Sequence, residues 1–436
     1  MESYYCQPAA GPIDATVRLP GSKSITNRGL IAAALADGHN LLSNMLLAED
    51  TQLMLDALRA LGIAITVDQG ECVVEVTGCR GHIPALEAEL FCGNAGTVMR
   101  FCTALAATGY GRFRLDGVER MRARPMGPLL AVLQALGTGI EYLGNEGYAP
   151  FIVHAKGLRG GHVSFDSPES SQFVSALLLA APYAGGDVLI EVAGNTPSIP
   201  YLKMTTLLME RFGVAVIEHY EETGARFVVE APQRYTGANL AVEPDASNAS
   251  YFLAAPAIAG GRVTVERLGT NSIQGDVGFA DVLGRMGCRV ERTPDRLTVF
   301  GPVPGERLHG VDVDLSDMPD VAQTLAVLAL FAAGPTTIRN VPNLRLKETD
   351  RLAALSSELT KLGAHVEEWP DGLRVDPPRQ MTPATIDTYD DHRMAMSFAL
   401  AGLGAKGVVI NDPQCCRKSF PDFFQRFEQL RSSQRS

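Results

Sequence analysis

A phrase that recurs five times constrains the fold more than any other feature of this chain. It consists of an apolar residue, a glycine, two further residues and a β-branched residue, and its glycines are Gly62, Gly137, Gly213, Gly287 and Gly363, spaced 74 to 76 residues apart. A glycine after a run of helix-forming residues is typical of the left-handed cap that ends a helix, and the residues after it predict a buried strand. The sequence therefore predicts a repeated α/β unit.

A second repeated feature is a polar opening in front of a helix rich in small apolar residues. The six openings are residues 27–28, 94–97, 170–172, 245–248, 319–320 and 391–393. Residues 173–181 carry no charge and predict a helix buried around most of its circumference, whereas residues 350–362 are amphipathic and should cover an outer face. Six such units in 436 residues predict two domains of three units each.

Composition excludes several classes of protein. Apolar residues at 46% and charged residues at 20% are typical of a soluble globular protein, with disorder expected only at residues 431–436. No apolar run approaches the ~18 residues that cross a bilayer, and the net charge of −11 argues against a nucleic-acid partner. The eight cysteines include no C-x-x-C pair, so neither a zinc site nor a disulfide framework is predicted. Because the first motif begins at residue 20, no transit peptide is expected, and we predict a cytoplasmic location.

Residues 20–28, Pro-Gly-Ser-Lys-Ser-Ile-Thr-Asn-Arg, place Lys23, Ser24 and Arg28 at the start of the first small-residue helix. A helix N-terminus favours a phosphate or carboxylate, and the ammonium and guanidinium groups add full positive charges. The spacing is not that of a P-loop, and alone it would also suit a helix cap with solvated charges. At Gly96 the missing Cβ would let a ligand approach the backbone closely, or would only permit a tight turn.

The openings together concentrate cations and hydroxyl groups. Because cations ~4 Å apart repel each other by several kcal/mol at an intermediate dielectric, a converging cluster is stable only around anions. We therefore predict a ligand with more than one phosphate or carboxylate. Asp320 and Glu348 lie among these cations, and two carboxylates with unlike surroundings could divide proton donation and acceptance. As alternatives, Asp320 could simply cap a helix, and so could Ser170 and Ser171.

Eight segments, in order along the chain, resemble the 5-enolpyruvylshikimate-3-phosphate (EPSP) synthase family. They are residues 20–28, 93–97, 124–125, 170–173, 245–247, 347–351, 391–393 and 420–422. The resemblance implies an α/β fold of two lobes, an inverse α/β prism in which each lobe has three repeated units with buried helices and two crossovers join the lobes. Lobe one would comprise residues 1–21 and 242–436, and lobe two residues 22–241, with the active site in the cleft between them.

The resemblance also implies a reaction and its residues. The enolpyruvyl group of phosphoenolpyruvate would pass to the 5-hydroxyl of shikimate 3-phosphate through a tetrahedral intermediate, with release of phosphate. Phosphoenolpyruvate would be bound by Lys23, Gly96, Arg124, Gln172, Arg351, Arg393 and Lys418. Shikimate 3-phosphate would be bound by Ser24, Arg28, Ser170, Ser171, Gln172, Ser198, Asp320, Asn343 and Lys347, and Tyr201 and His392 are counted as further substrate-binding residues.

The implied chemistry needs no cofactor and no metal. Glu348 would donate a proton to the methylene carbon, Asp320 would accept the hydroxyl proton, and Lys23 would share in proton transfer. The family is the target of glyphosate, and Gly96 with residues 170–173 resembles the sensitive form, so inhibition is expected. The chain departs from the family pattern at Phe101, where many bacterial relatives have proline. A monomer is expected from the family.

Two other functions are compatible with parts of the pattern. The sister enolpyruvyl transferase that acts on UDP-N-acetylglucosamine shares the architecture, but it has asparagine where Ser24 stands here and uses a loop cysteine as the acid. A non-catalytic repeat protein that binds polyanions would have no use for Asp320 and Glu348. A phosphate-release assay separates the three.

Overall fold

A computed structural model of the chain describes residues 2–194 and 198–433. The chain divides into two compact units, which we call unit A (Gly21–Val242) and unit B (Met1–Pro20 with Glu243–Ser436). The chain passes from one unit to the other twice, after Pro20 and after Val242. Among the described residues, no helix has the length and apolar character required to cross a membrane.

The strands are short, and most have three to six residues. They are β1 (Ser3–Tyr5), β2 (Ile13–Val17), β3 (His39–Ser43), β4 (Ala64–Asp68), β5 (Val73–Thr77), β6 (Glu87–Phe91), β7 (Tyr110–Asp116), β8 (Gly139–Tyr142), β9 (Phe151–Lys156), β10 (Gly161–Asp166), β11 (Val188–Ala193), β12 (Ile217–Glu221), β13 (Gly224–Val229), β14 (Asn239–Ala241), β15 (Gly261–Glu266), β16 (Arg289–Thr293), β17 (Arg296–Phe300), β18 (Asp312–Asp314), β19 (Thr336–Arg339), β20 (His365–Trp369), β21 (Gly372–Asp376), β22 (Ala384–Ile386) and β23 (Val408–Asn411).

The helices lie between these strands. They are α1 (Lys23–Leu35), α2 (Glu49–Ala60), α3 (Gly96–Ala107), α4 (Glu119–Arg122), α5 (Gly127–Ala135), α6 (Ser171–Ala180), α7 (Ile199–Arg211), α8 (Ala246–Ala259), α9 (Phe279–Arg285), α10 (Ala322–Leu328), α11 (Arg351–Lys361), α12 (His392–Gly404) and α13 (Phe423–Ser432). Short 3-10 helices include Pro319–Val321, Pro342–Leu346 and Pro413–Lys418.

All four-stranded sheets share one pairing pattern. The first strand is parallel to the second, and the third is antiparallel to both the second and the fourth. The orders in unit A are β14-β3-β5-β4, β6-β7-β9-β8 and β10-β11-β13-β12. The orders in unit B are β2-β15-β17-β16 and β18-β19-β21-β20, and a three-stranded sheet β22-β23-β1 follows the same pattern for its strands. The repeated α/β unit is therefore confirmed.

The helices that follow the polar openings form the interior of each unit. Every residue of α3 is buried, and in α6 every residue except Gln172 is buried. In unit B, α8 and α12 are buried almost throughout, and α10 is buried at every position. Small side chains allow close packing around the whole circumference of such helices, as their sequences predict. By contrast, α11 buries one face only and is amphipathic, as predicted.

The glycines of the recurring phrase end helices as predicted, but the strands after them are not buried. The five glycines have φ angles between 81° and 102°, which is the left-handed region. The strands β4, β8, β12, β16 and β20 lie at sheet edges and contain only half-buried and exposed residues. The prediction of buried strands is wrong because only one face of each edge strand is covered.

The C-terminal tail is also more ordered than the composition indicates. Residues 431 and 432 are the last two of α13, and Arg431 pairs with Glu428 at 2.8 Å. Disorder is therefore wrong for these residues, and residues 434–436 lie outside the described part of the chain.

Candidate active site

In unit B, the carboxylate of Asp320 is surrounded by three cations. Asp320 lies in the turn Pro319–Val321 that leads into α10. Its Oδ1 is 3.2 Å from Arg351 Nη1 and 3.5 Å from Lys347 Nζ, and its Oδ2 is 2.9 Å from Arg393 Nη2. Asp320 therefore does more than cap a helix, because it joins Lys347 and Arg351, four residues apart, to Arg393 at the start of α12.

Arg351 is the most enclosed cation of this cluster. It is the first residue of α11, which is capped by the Asp350 side chain, and its own side chain is 1% exposed. It donates to both oxygens of Asp391, from Nε at 2.7 Å and from Nη2 at 3.2 Å, and Nη2 also donates to Glu348 Oε2 at 3.0 Å. Burial alone would lower the pKa of Arg351, but the carboxylates of Asp391, Glu348 and Asp320 raise it well above its usual value.

Arg393 is positioned by the start of α12. Asp391 caps this helix and accepts the Arg393 N–H at 2.9 Å, and Arg393 Nη1 donates to the hydroxyl of Tyr251 at 3.3 Å. Burial raises the pKa of Tyr251 to about 12, although the Arg393 guanidinium lowers it, so the phenol is a neutral acceptor. The Tyr251 ring packs edge-on against Phe423, which fixes the hydroxyl under the guanidinium.

The remaining predicted residues of unit B border this cluster. Lys418 ends the 3-10 helix Pro413–Lys418, and its Nζ is 4.0 Å from Glu348 Oε1. The His392 ring is buried with Nδ1 3.7 Å from Asp391 Oδ1. Asn343 lies in the turn Pro342–Leu346 that leads to Lys347, and its buried Oδ1 has no hydrogen-bond partner among the described residues. Such an acceptor is suited to a donor group on a ligand.

A further carboxylate, Asp276, is buried beside the cluster. It accepts a short hydrogen bond from the Ser247 hydroxyl at the start of α8. Burial, with the Asp320 carboxylate as a second cause, raises the pKa of Asp276 to about 6, although the Ser247 hydrogen bond opposes both. Unit B therefore has, near its cations, a buried acidic residue that the sequence analysis did not predict.

In unit A, Lys23 is held by an acid that the sequence analysis missed. Lys23 is the first residue of α1, and its Nζ is 3.0 Å from Asp50 Oδ2 in the first turn of α2. The Asp50 side chain is buried, whereas that of Lys23 is partly exposed. A buried carboxylate beside a partly exposed ammonium orients the lysine and leaves it accessible to a ligand.

Arg28 is buried without an acidic partner in the part of the chain that the structure describes. Its Nε donates to Thr205 Oγ1 at 2.7 Å, and its Nη1 donates to the Ser24 carbonyl at 3.0 Å. Its Nη2 donates to Ser175 Oγ at 3.3 Å and to the Tyr201 carbonyl at 3.4 Å. Burial lowers the pKa of Arg28 to about 10, so it remains charged at neutral pH.

Gly96 lies between two guanidinium groups. A Cβ at this position would be 2.3 Å from Arg100 Nη1 and 2.6 Å from Arg124 Nη2. Arg124 donates from Nη1 to the Asn94 carbonyl at 3.1 Å, which brings it to the start of α3. The close approach of side chains, rather than a tight turn, therefore explains the glycine.

The predicted serines lie at the starts of α6 and α7. Ser170 caps α6 by accepting the Gln172 N–H at 3.2 Å, so the capping interpretation is correct for this residue. Ser171 is buried in the first turn, and Gln172 Oε1 is buried with no partner among the described residues. Ser198 precedes α7 in the left-handed conformation, with φ at 56°, an uncommon state for serine that is typical of functional positions.

Among the residues that the structure describes, one group could hold a metal ion, and it lies outside the Asp320 cluster. His365, Glu367 and Asp376, on β20 and β21, bring three ligand atoms within 4.8 Å of one another. The group is largely exposed, and Arg374 Nη2 already pairs with Asp376 Oδ1 at 3.1 Å. Because the positively charged guanidinium of Arg374 already pairs with Asp376, a metal cation is disfavoured at this group. We therefore assign the group no role.

The fold and these clusters define a class of protein. Cations, hydroxyl groups and ion-paired carboxylates lie at the starts of the buried helices of repeated α/β units. This arrangement is typical of an enzyme that acts on small anionic substrates by proton transfer.

Comparison with known proteins identifies the family. A profile of the family described as EPSP synthase (3-phosphoshikimate 1-carboxyvinyltransferase) matches residues 8–427. A 3-phosphoshikimate 1-carboxyvinyltransferase of Nostoc punctiforme is 48% identical over 96% of this chain and 97% of its own length. The chloroplastic enzyme of Arabidopsis thaliana is 49% identical over 96% of this chain and 82% of its own. The EPSP synthase structure from Acinetobacter baumannii superposes with a TM-score of 0.80 at 25% identity, covering 99% of this chain and 98% of that one.

The chain belongs to the EPSP synthase family. The family and the fold class expected from the sequence are confirmed. The likeness also extends to the enolpyruvyl transferase NikO of Streptomyces tendae, with a TM-score of 0.76 at 19% identity, which concerns the fold alone.

Proposed function

We propose that this protein is a 3-phosphoshikimate 1-carboxyvinyltransferase, which transfers the enolpyruvyl group of phosphoenolpyruvate to the 5-hydroxyl of shikimate 3-phosphate and releases phosphate. Family membership and relatives near 48% identity along almost the whole chain support this reaction. The observation that carries the chemistry is the position of Asp320 among Lys347, Arg351 and Arg393. Both substrates are small polyanions, and this cluster together with Arg28 supplies the cations that they require.

We assign the carboxylate of phosphoenolpyruvate to Arg351 and Arg393. In the structure both guanidinium groups bind Asp320, so an arriving carboxylate competes with Asp320 for the same donors. A carboxylate held by cations is a weak base, because the charged form is stabilised. Binding of phosphoenolpyruvate would therefore release Asp320 from two of its cations and raise its basicity at the moment when a hydroxyl proton must be accepted.

Glu348 is our candidate for the proton donor. It adjoins Lys347 in sequence, accepts from Arg351 at 3.0 Å and lies 4.0 Å from Lys418, with a largely buried side chain. Protonation of the methylene carbon builds positive charge at C2, which the 5-hydroxyl oxygen attacks. A tetrahedral intermediate forms, and loss of phosphate and of a proton from the new methyl group then restores the double bond and gives the enol ether. Lys23, held by Asp50, is proposed to share in proton transfer.

The remaining phosphoenolpyruvate contacts are assigned to Gly96, Arg124, Gln172 and Lys418. We assign shikimate 3-phosphate to the hydroxyl groups of Ser24, Ser170, Ser171 and Ser198, to Gln172 and Asn343, and to Arg28 and Lys347, with Tyr201 and His392 as bordering residues. Gln172 and Asn343 each have a buried carbonyl oxygen without a partner among the described residues, which suits the hydroxyl donors of this substrate.

A phosphate-release assay with two acceptors tests the proposal. Purified protein receives phosphoenolpyruvate with shikimate 3-phosphate, with UDP-N-acetylglucosamine, or with neither, and phosphate and the enol ether are quantified. We expect one phosphate per enol ether with shikimate 3-phosphate and none above background in the other arms. Release with the UDP-sugar would assign the chain to the sister reaction, and ligand binding without release would indicate a non-catalytic protein.

Three narrower properties extend the proposal. We infer inhibition by glyphosate at the phosphoenolpyruvate site, and an inhibition constant in the millimolar range would contradict this.

We infer a monomer from the family, which light scattering after size exclusion would check. We infer a cytoplasmic location, supported by eight cysteines that are all described and all free thiols, as is usual in a reducing compartment.

A further inference from the structure

Arg28 carries a buried charge that its hydrogen bonds do not neutralise. Its four hydrogen bonds go to two hydroxyl groups and two carbonyl groups, and none goes to a carboxylate in the described part of the chain. Neutral acceptors repay only part of the cost of removing a guanidinium ion from water. Some other contact must therefore stabilise the cation in place.

Two aromatic rings provide that contact. The Arg28 Cζ is 5.2 Å from the centre of the Phe101 ring and 5.9 Å from that of Tyr201. Both distances are within the ~6 Å over which the negative face of a ring attracts a cation. Phe101 lies in the buried helix α3 and is 1% exposed, so water does not screen the attraction.

An aromatic partner has a consequence that a carboxylate partner would not have. A guanidinium group has five N–H donors, and the four hydrogen bonds of Arg28 leave one hydrogen on Nη1. A ring attracts the charge without accepting any of these donors, whereas a carboxylate would occupy them and cancel the charge. The ring therefore stabilises the buried cation while one of its N–H donors stays unused by the described residues.

We propose that Phe101 is a positioning residue for substrate binding, and that its ring holds the Arg28 guanidinium in place for shikimate 3-phosphate. This inference rests on the proposed function, since it assigns that substrate to Arg28. It gives a role to the residue at which the chain departs from the proline of many bacterial relatives. Phe101 itself need not touch the substrate, because it acts through Arg28.

The test changes the electrostatics of the ring and leaves its shape nearly unchanged. Phe101 is replaced by mono-, tri- and pentafluorophenylalanine through amber suppression, and shikimate 3-phosphate affinity is measured by calorimetry without phosphoenolpyruvate. Fluorine withdraws electrons from the ring face, so we expect affinity to fall stepwise, by about fivefold to thirtyfold for the full series. The same series at Phe113, a buried residue of β7 outside the proposed site, should leave affinity within about twofold.

Conventional variants add a kinetic measurement. Phe101→Leu should raise the KM for shikimate 3-phosphate with a smaller change in kcat, and Phe101→Tyr should restore it, because the ring is retained. Equal affinity across the fluorinated series, or an equal loss from the Phe113 series, would overturn the inference. If the unsubstituted protein fails to bind shikimate 3-phosphate, the proposed function fails instead, so the two outcomes are distinct.

Discussion

Arg28 of unit A and the cations around Asp320 in unit B are held in opposite ways. In unit B, Lys347, Arg351 and Arg393 all pair with carboxylates, and Asp320 links all three. In unit A, Arg28 binds only neutral acceptors and ring faces in the described part of the chain. Arg28 thus carries a charge that no described carboxylate balances, whereas at the Asp320 cluster of unit B an anion must first exchange with an internal carboxylate. That exchange gives unit B a means to couple substrate binding to the basicity of Asp320.

The largest effect is expected from Asp320→Ala, which removes the carboxylate that unit B uses. We expect the rate of phosphate release to fall by about 10² to 10⁴, since a general base contributes on that order. Because Asp320 competes for Arg351 and Arg393, the affinity for phosphoenolpyruvate should stay the same or increase. Calorimetry and the phosphate assay measure the two effects separately.

Asp312→Ala is the matched control, because Asp312 is an exposed acid of unit B that pairs with Arg339 on the outer surface. It should leave both the rate and the affinity within about twofold, as surface ion pairs contribute little. A loss of phosphoenolpyruvate affinity in Asp320→Ala would mean that the carboxylate organises the arginines rather than competing with the substrate, and would break the comparison between the units.

The second prediction compares Arg351→Met with Arg28→Met in urea unfolding. Arg351→Met leaves Asp391 and Glu348 buried without their common partner, which should destabilise the fold by ~3–5 kcal/mol. Arg28→Met leaves hydroxyl groups that already bond each other, Thr205 to Ser175 at 2.9 Å, so stability should be unchanged or higher.

A double variant sharpens this result. Arg351→Met with Asp391→Asn removes a buried charge together with its partner and should recover part of the loss. Similar destabilisation by Arg28→Met and Arg351→Met would show that the two arginines are held by equivalent interactions, contrary to the structure.

The contrast between the units was only partly predictable from the sequence. Glycine spacing predicts the repeats because a left-handed cap depends on one residue and its immediate neighbours. Ion pairing depends on contacts between distant segments: Arg351 and Asp391 are 40 residues apart, and Arg393 and Asp320 are 73 apart. Residue types at helix starts indicated where cations gather, but not which of them carry an internal carboxylate.

The same limit explains the edge strands and Phe101. Five residues of alternating character fit a central strand or an edge strand, and only the sheet order decides between them. In the sequence, Phe101 is only a helix residue that departs from the family pattern. Its contact with Arg28 depends on the packing of α1 against α3. Local chemistry was therefore predictable, and pairing across the fold was not.

The third prediction concerns pH and again separates the units. Burial raises the pKa of Asp276 to about 6, whereas an unfolded aspartate titrates near ~3.9. The folded state therefore binds a proton more tightly, so this stabilisation is complete below the unfolded pKa and is lost as pH rises through about 6. Two pKa units correspond to ~3 kcal/mol. The free energy of unfolding of Asp276→Asn, relative to that of the parent protein, should therefore increase by up to that amount between pH ~4 and pH ~7.

Unfolding of the parent and Asp276→Asn proteins at several pH values measures this gain. Asp56→Asn, at an exposed acid of unit A, serves as the matched control for the change from aspartate to asparagine. A gain that is the same at every pH would mean that the buried carboxyl is ionised throughout, with its charge balanced by Arg393.

The smallest effect is expected from Gly96→Ala. This variant tests whether the guanidinium groups of Arg100 and Arg124 can move to admit an added methyl group. The added Cβ would overlap Arg100 Nη1 and Arg124 Nη2, which are the ends of flexible side chains, so the guanidinium groups should move rather than the backbone. We expect the KM for phosphoenolpyruvate to rise about tenfold and stability to change by less than ~0.5 kcal/mol. Gly70→Ala, at an exposed turn of unit A whose added Cβ would meet only an Asp68 oxygen at 3.4 Å, should change neither. If Gly96→Ala destabilised the fold by as much as Arg351→Met, the two arginines around α3 would have to be held as firmly as those of unit B, contrary to this expectation.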